Sequence, residues 1–314
     1  MKNSFLTFCN WNLNSLVKND FSRVKSLEAH NSVFSYDIIS VYETCLNDSI
    51  ELPEKLLNDY PFVCQNNPLN TRRGGVGLFY KNSLPLKIRN DLAFDESIVA
   101  EINFGRKKIF FVTLYRSPSI SSGTPEFQGF LDQFERLYAA LKSENPYSIF
   151  ISGDLNGHSE LWWREGNTTA EGREIELLTS QLGLTQLIQE PTNFEPNKNP
   201  SCIDLIFTDQ PNLVIESGIR PSLDNVCHHQ MTYCRFNFQI PPPPPFERKI
   251  WHFNRANIPQ IKRAMSLFPW YHHLNANTDP NWQAKTFSEI LLNIMSNFVP
   301  NETIKVKPRD PPPG

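Results

Sequence analysis

The feature that most restricts this chain is a series of short apolar runs that stop abruptly at polar or charged residues. Ile38–Tyr42 is followed at once by Glu43, and Ser148–Ser152 runs into Gly153-Asp154-Leu155-Asn156-Gly157. Runs of about four to eight residues, rich in β-branched and aromatic side chains, read as buried strands. Ser4–Cys9, Val76–Tyr80 (after the Arg73-Gly74-Gly75 turn), Cys202–Phe207 and Gln230–Phe238 read the same way. Ile98–Phe104 and Lys108–Leu114 read as a hairpin around Gly105-Arg106. Helical stretches alternate with them at Ser22–Ala29 and Arg173–Leu182. Over Pro125–Lys142, Phe127, Phe130, Leu131, Phe134, Leu137, Tyr138 and Leu141 make one apolar stripe. Two packed sheets with helices outside fit this alternation. Periodicity alone does not separate that arrangement from other mixed α/β layers.

Five consecutive prolines, Pro241–Pro245, cannot continue a central strand and favour a stiff extended segment. They divide the chain into a domain over 1–240, a proline-rich linker over 241–249 and a mainly helical tail over 250–314. Helices are expected at Ile258–Leu267 and Trp282–Phe298. The latter has an apolar face (Phe287, Ile290, Leu291, Ile294, Met295, Phe298) that needs a partner.

Charge excludes one way of gripping nucleic acid. The chain has net charge −3, and from Pro241 onward nine Lys/Arg face five acids, which leaves −7 on the first 240 residues. Contact with a polyanion must therefore come from local basic loops or bound metal, not from an overall field. The six cysteines include no Cys-x-x-Cys pair, so neither zinc spacing nor a disulfide framework is implied. There is no signal segment and no apolar stretch of membrane-spanning length, so a soluble intracellular protein is the default expectation.

Six polar clusters sit at expected strand ends. Asn12 and Asn14, in Trp11-Asn12-Leu13-Asn14, offer amides that can orient a nucleophile, a phosphate or a metal's water; an Asn-rich turn is the ordinary alternative. Glu43 places a hard carboxylate after a buried run, as Mg²⁺ chemistry requires, although strand-end glutamates more often simply face solvent. Tyr115 and Arg116 offer a hydroxyl and a guanidinium suited to phosphate oxygens, or else end a surface strand before Pro118. Asp154 and Asn156 follow an apolar strand so abruptly that a carboxylate taking a proton from water, with an amide fixing that water, is favoured over a capped turn. Asp204 lies inside an apolar strand, which is costly unless it is paired, and a histidine is the obvious partner. His228 and His229 supply that residue type, though a lone histidine is commonly structural.

In this order the clusters resemble the endonuclease/exonuclease/phosphatase superfamily, and most closely its apurinic-endonuclease-like branch found in non-LTR retrotransposons. The resemblance spans about residues 5–240. It implies a four-layer sandwich, two mixed β-sheets flanked by helices. It also implies a Mg²⁺-dependent nuclease, with Mn²⁺ as an alternative ion, that nicks DNA to leave a 3′-hydroxyl for reverse transcription. By that resemblance Glu43 with help from Asn14 holds the metal, Asp154 activates water, and Asn156 and Asn12 position it or the phosphate. Tyr115 and His229 contact the phosphate, and Asp204 orients His229. Arg72–Gly77 and Pro191-Thr192-Asn193-Phe194 also look like retroelement endonuclease segments. Trp251–Pro313 resembles the linker before a reverse transcriptase, which is the expected neighbour in the same polyprotein. A DNA target implies the nucleus, and no membrane is involved.

One departure stands out. The family usually has an aspartate just before the catalytic histidine, where this chain has His228. An imidazole there changes the local charge. It keeps open a non-catalytic nucleic-acid-binding remnant as an alternative, beside a superfamily phosphatase acting on a lipid or inositol phosphate.

Overall fold

The computed structural model describes residues 5–18, 20–105, 107–222, 227–237 and 246–306. The chain divides into two compact units, Met1–Pro241 and Pro242–Gly314. In chain order the first contains β1 (Leu6–Asn12), α1 (Ser22–Phe34), β2 (Ile38–Tyr42), β3 (Phe62–Gln65), β4 (Val76–Tyr80), β5 (Leu86–Ile88), β6 (Ser97–Phe104) and β7 (Lys107–Tyr115). There follow α2 (Pro125–Ser143), β8 (Ser148–Asp154), α3 (Ala170–Gln181), β9 (Thr185–Gln186), β10 (Asp204–Thr208), β11 (Val214–Arg220) and β12 (Met231–Phe236).

The strands form two six-stranded sheets, ordered β11-β12-β1-β2-β4-β3 and β5-β6-β7-β8-β10-β9. Each holds one parallel pair near its centre, β1 with β2 and β7 with β8, and the other pairings are antiparallel. A parallel pair needs a crossover, which α1 supplies in the first sheet and α2 in the second.

Period-two alternation sorts the residues of β1 between two layers. Phe8 faces the second sheet, with its ring 4.7 Å from Phe111 and 5.3 Å from Phe150. Cys9 and Trp11 face the other way and share a core with Val24 and Leu27 of α1. The apolar stripe of α2 is buried in the same core as the second sheet. Each such side chain withdrawn from water contributes about 1.5–3 kcal/mol. The result is the four-layer sandwich of two mixed sheets flanked by helices. A buried hydroxyl pair, Ser40 Oγ and Thr113 Oγ1 at 2.6 Å, links the sheets through their shared core.

The second sheet is also tied by charge. Arg89 donates to Glu101 at 2.6 Å, to Glu144 at 2.8 Å and to Asp91 at 2.7 Å, and Lys108 donates to Glu144 at 2.5 Å. The cluster joins the segment after β5, strands β6 and β7, and the C-terminal end of α2.

Strands β3, β5, β9 and β11 were not legible as strands. They are two to seven residues long and partly exposed, so they lack an apolar run. Ser4, Arg106, Phe238 and Pro241–Pro245, which enter the sequence reading, lie outside the described residues.

The second unit contains β13 (Phe246–Trp251), α4 (Ile258–Leu267), α5 (Trp270–Leu274), α6 (Pro280–Phe298) and β14 (Asn301–Val306). It is mainly helical, and residues 246–249, within the span expected as linker, are strand. They lie in β13, antiparallel to β14 with Glu247 opposite Lys305. From Phe246 onward the backbone has N–H groups free to pair, whereas the prolines before it have none. No described helix is long and apolar enough to cross a membrane.

Candidate active site

The two parallel pairs deliver their C-terminal ends to one place. Asn12 ends β1, Glu43 follows β2, Tyr115 ends β7 and Asp154 ends β8. Asn12 is fully buried, and its Nδ2 donates both to Asp154 Oδ2 at 2.8 Å and to Glu43 Oε1 at 3.0 Å. The Tyr115 hydroxyl donates to the same Glu43 oxygen at 3.1 Å. Asn12 Oδ1 accepts from the Asn14 backbone N–H at 2.8 Å, so this amide is committed at both ends.

Asp204, the first residue of β10, pairs directly with Asp154 in the antiparallel register. Paired residues share a face, so both carboxylates enter the cleft. Asp204 Oδ2 lies 2.8 Å from His229 Nδ1 and accepts from the Thr192 hydroxyl at 2.7 Å. The Asn193 amide lies 3.2 Å from His229 Nε2. Thr192 and Asn193 had no role in the sequence reading. Their signal was the Pro191–Phe194 segment, whose backbone pairs with His229 through an isolated bridge at Asn193.

Asn156 sits at the edge of this cluster in left-handed backbone, φ 48°. Its N–H donates to Asp154 Oδ1 at 3.1 Å, while its side chain donates to the Arg116 carbonyl at 2.9 Å. Asn14 is exposed. It lines a cleft of about 450 Å³ with Asn193, Glu195, Pro196, His228 and His229.

Arg116 corrects the expectation that it offers a guanidinium to phosphate. It is buried and donates to four backbone carbonyls: Leu155 at 2.6 Å, Asn156 at 2.7 Å, Ser117 at 3.3 Å, and Ile120. Its work is to pin the loops after β7 and β8. The loop after β2 is held by the Gly74-Gly75 turn. Cys45 donates to the Gly74 carbonyl and Thr44 to that of Gly75. The Gly75 N–H donates to the buried Glu96 carboxylate at 2.6 Å, and the Tyr115 N–H donates to the Glu96 carbonyl. Both glycines have positive φ, 58° and 82°. A Cβ on Gly74 would collide with Glu96, and one on Gly75 would lie 2.6 Å from the Thr44 hydroxyl.

Crowded acids set the electrostatics. Burial, and then the charges of Asp204 and Glu43, push Asp154 up to about 8. Burial alone would lower the His229 imidazole. Asp204, by charge and by hydrogen bond, outweighs it with help from Asp154 and Glu43, and raises it to about 9. Burial and then Glu43 hold the Tyr115 phenol far above its usual range, so it remains a hydroxyl donor at neutral pH.

A cation suits this donor set. Asp154, Asp204 and His229 each offer a ligand atom, all within 4.8 Å of one another. Asp204 Oδ1 is buried and has no hydrogen-bond partner. A buried carboxylate oxygen without a donor is costly, and a bound cation would satisfy it. The sequence reading placed the ion at Glu43 and Asn14. The structure joins Glu43 to Asp154 through the Asn12 amide, whereas Asn14 lies at the rim.

Residues 109–230 match the family described as endonuclease-reverse transcriptase. Solved structures share the fold at low identity. The endonuclease domain of TRAS1, a telomere-specific non-LTR retrotransposon, is 15% identical with a TM-score of 0.57, covering 74% of this chain and 99% of that one. The AP endonuclease LMAP of Leishmania major is 14% identical with a TM-score of 0.62, covering 74% and 88%. An AP endonuclease of Archaeoglobus fulgidus is 17% identical with a TM-score of 0.56, covering 74% and 100%. No curated protein matches the sequence. The fold is therefore shared with the TRAS1 endonuclease domain and with these AP endonucleases.

Proposed function

We propose that this chain, carrying the endonuclease-reverse transcriptase match over residues 109–230, is a Mg²⁺-dependent endonuclease that nicks a DNA strand to leave a 3′-hydroxyl. The observation that carries this reading is the convergence of Asn12, Glu43, Tyr115, Asp154, Asp204 and His229 in one hydrogen-bonded cluster.

Glu43, Asp154 and Asp204 supply the hard oxygens that would hold one Mg²⁺ ion, with Mn²⁺ as a substitute, and Asn14 at the rim would meet its hydration shell. When bound, such an ion stabilises negative charge on the phosphate and the leaving oxygen. Asp154 takes the proton of the attacking water, and Asn12 and Asn156 fix the positions of that carboxylate and water. Asp204 holds the Nδ1 side of His229, Nε2 beside the Asn193 amide would turn to donate to a phosphate oxygen, and Tyr115 donates through its hydroxyl. The 3′-hydroxyl would prime reverse transcription by a polymerase region of the same polyprotein, on chromosomal DNA in the nucleus.

A supercoiled-plasmid assay tests this. With Mg²⁺ the intact protein should give open circles that a polymerase extends without phosphatase treatment. Asp154→Ala should lose about 10³-fold or more in rate. Equal background nicking by both proteins would dismiss the reading. Release of inorganic phosphate from inositol phosphates, without nicking, would move the activity to another substrate.

A further inference from the structure

A second cleft lies on the outer face of the first sheet, at the end of β1 opposite Asn12. It has a volume of about 400 Å³, within the range of about 300–1,000 Å³ typical of small-ligand pockets. Its wall combines cations with aromatic rings. The Arg220 guanidinium lies between Phe34 and Tyr233, 3.9 Å and 4.1 Å from their ring centres, and its Nε donates to the Tyr36 hydroxyl at 2.8 Å. The Arg235 guanidinium lies 4.0 Å from the ring centre of Phe5.

The charges around the cleft are unevenly spent. Lys81 is paired with Asp37 at 2.8 Å, and Glu216 accepts from the Tyr233 hydroxyl at 2.7 Å. No carboxylate among the described residues pairs with Arg220 or Arg235. The terminal nitrogens of both have no acceptor among the described residues. Aromatic rings hold these two guanidinium groups in place while leaving their terminal donors unused among the described residues. A phosphate oxygen is the acceptor such donors suit best, and single-strand binding surfaces combine basic side chains with aromatic rings.

We propose that this cleft binds single-stranded nucleic acid, with Arg220 and Arg235 on the phosphates and the Phe34, Tyr36 and Tyr233 rings bordering the adjoining base. The proposal goes beyond the nuclease reading and does not depend on it. The cleft lies on the opposite sheet face from the Asp154 cluster, so a strand held there need not be the strand that is cut.

Anisotropy of a labelled single-stranded 12-mer, measured in chelator across a salt series, tests it. Arg235→Gln should weaken binding about three- to tenfold and flatten the salt dependence by about 0.7 in logarithmic slope. The double variant with Arg220→Gln should roughly double the slope change, with plasmid nicking unchanged. Arg220 also props three rings, so crosslinking on the unmodified chain gives a second measure. A photoreactive uracil oligonucleotide should attach to peptides containing Phe34, Tyr36 or Tyr233. Unchanged affinity and slope, crosslinks confined to residues 115–156, or equal competition by a phosphoserine peptide of matched charge would each overturn the proposal.

Discussion

Asp154 and Asp204 stand directly opposite each other across the antiparallel β8–β10 pair, so the sheet register itself forces two carboxylates together. Neither can be turned away without shifting a strand, and a one-residue slip would reverse every side chain of β10. Burial does most to lift Asp154 to about 8, and the repulsion from Asp204 that adds to it is therefore built into the backbone pairing.

It follows that the metal-free protein is stabilised by removing one of these charges. Asp154→Asn should unfold at a higher temperature than the intact chain in chelator. The intact chain should gain stability on adding Mn²⁺ and the variant should gain less. Calorimetry with and without Mn²⁺ measures both. A variant less stable than the intact chain in chelator would contradict the argument.

Two glycines separate steric fit from backbone conformation. Gly74 and Gly105 both have positive φ, but a Cβ on Gly105 meets nothing within 4 Å, while on Gly74 it meets Glu96 and lies 3.3 Å from the Tyr115 ring. Gly105→Ala should cost about 1 kcal/mol, and Gly74→Ala about 2–3 kcal/mol. Only the Gly74 variant should also lose nicking, because that turn holds the loop after Glu43. Urea unfolding curves give the comparison.

Arg116→Met should cost on the order of 3 kcal/mol, since it strands the buried-side carbonyls of Leu155, Asn156 and Ile120, while that of Ser117 keeps the Ile120 N–H at 3.1 Å. Its loss of activity should follow the loss of folded protein. Phosphate binding by Arg116 would instead appear as a raised KM in a fully folded variant.

The Arg89 cluster predicts acid sensitivity. Hydrogen bonds from Arg89 and then Lys108 hold Glu144 down at about 2. A depressed carboxylate contributes stability that is complete above the unfolded value, near 4.5, and is lost as pH falls toward about 2. Glu144→Gln should therefore cost about 1 kcal/mol at pH 7 after solvent screening, seen as a lower melting temperature. The two proteins should converge near pH 2. A constant gap between pH 7 and pH 2.5 would exclude this cause.

His228→Asp tests the departure from the family pattern. His228 lines the cleft that also holds Asn14 and His229. An added carboxylate there should strengthen divalent-ion binding and lower the Mg²⁺ concentration for half-maximal nicking several-fold. Titration of rate against Mg²⁺ reads this directly.

Much of this was legible in the sequence because buried strands announce themselves. Ile38–Tyr42 and Val76–Tyr80 were read with their observed ends. The polar residues at strand ends were also the ones that converge. What stayed hidden has physical reasons. Helix α1 runs on to Phe34 through Asn31, Ser32 and Val33, poor helix formers that tertiary contacts override. Strand β13 begins Phe-Glu-Arg-Lys and is exposed over its first four residues, so no apolar alternation marked it. Arg116 read as a phosphate ligand because a sequence cannot show that four carbonyls surround a guanidinium. Thr192 reaches the site through its hydroxyl bond to Asp204, and Asn193 through a bridge to His229, and neither long-range pairing shows in the local sequence.

The strand order has a consequence for the timing of synthesis. The first strand lies between β2 and β12, and β12 comes last in the first unit. His229, just before β12, enters the cluster only as that final strand docks beside the first. A growing chain that has exposed β7, β8 and β10 can assemble one sheet yet lacks its imidazole. On the nuclease reading, the cluster is therefore completed in a single late step. A ribosome-bound fragment ending before residue 229 should be inert toward DNA however well its earlier portion has folded.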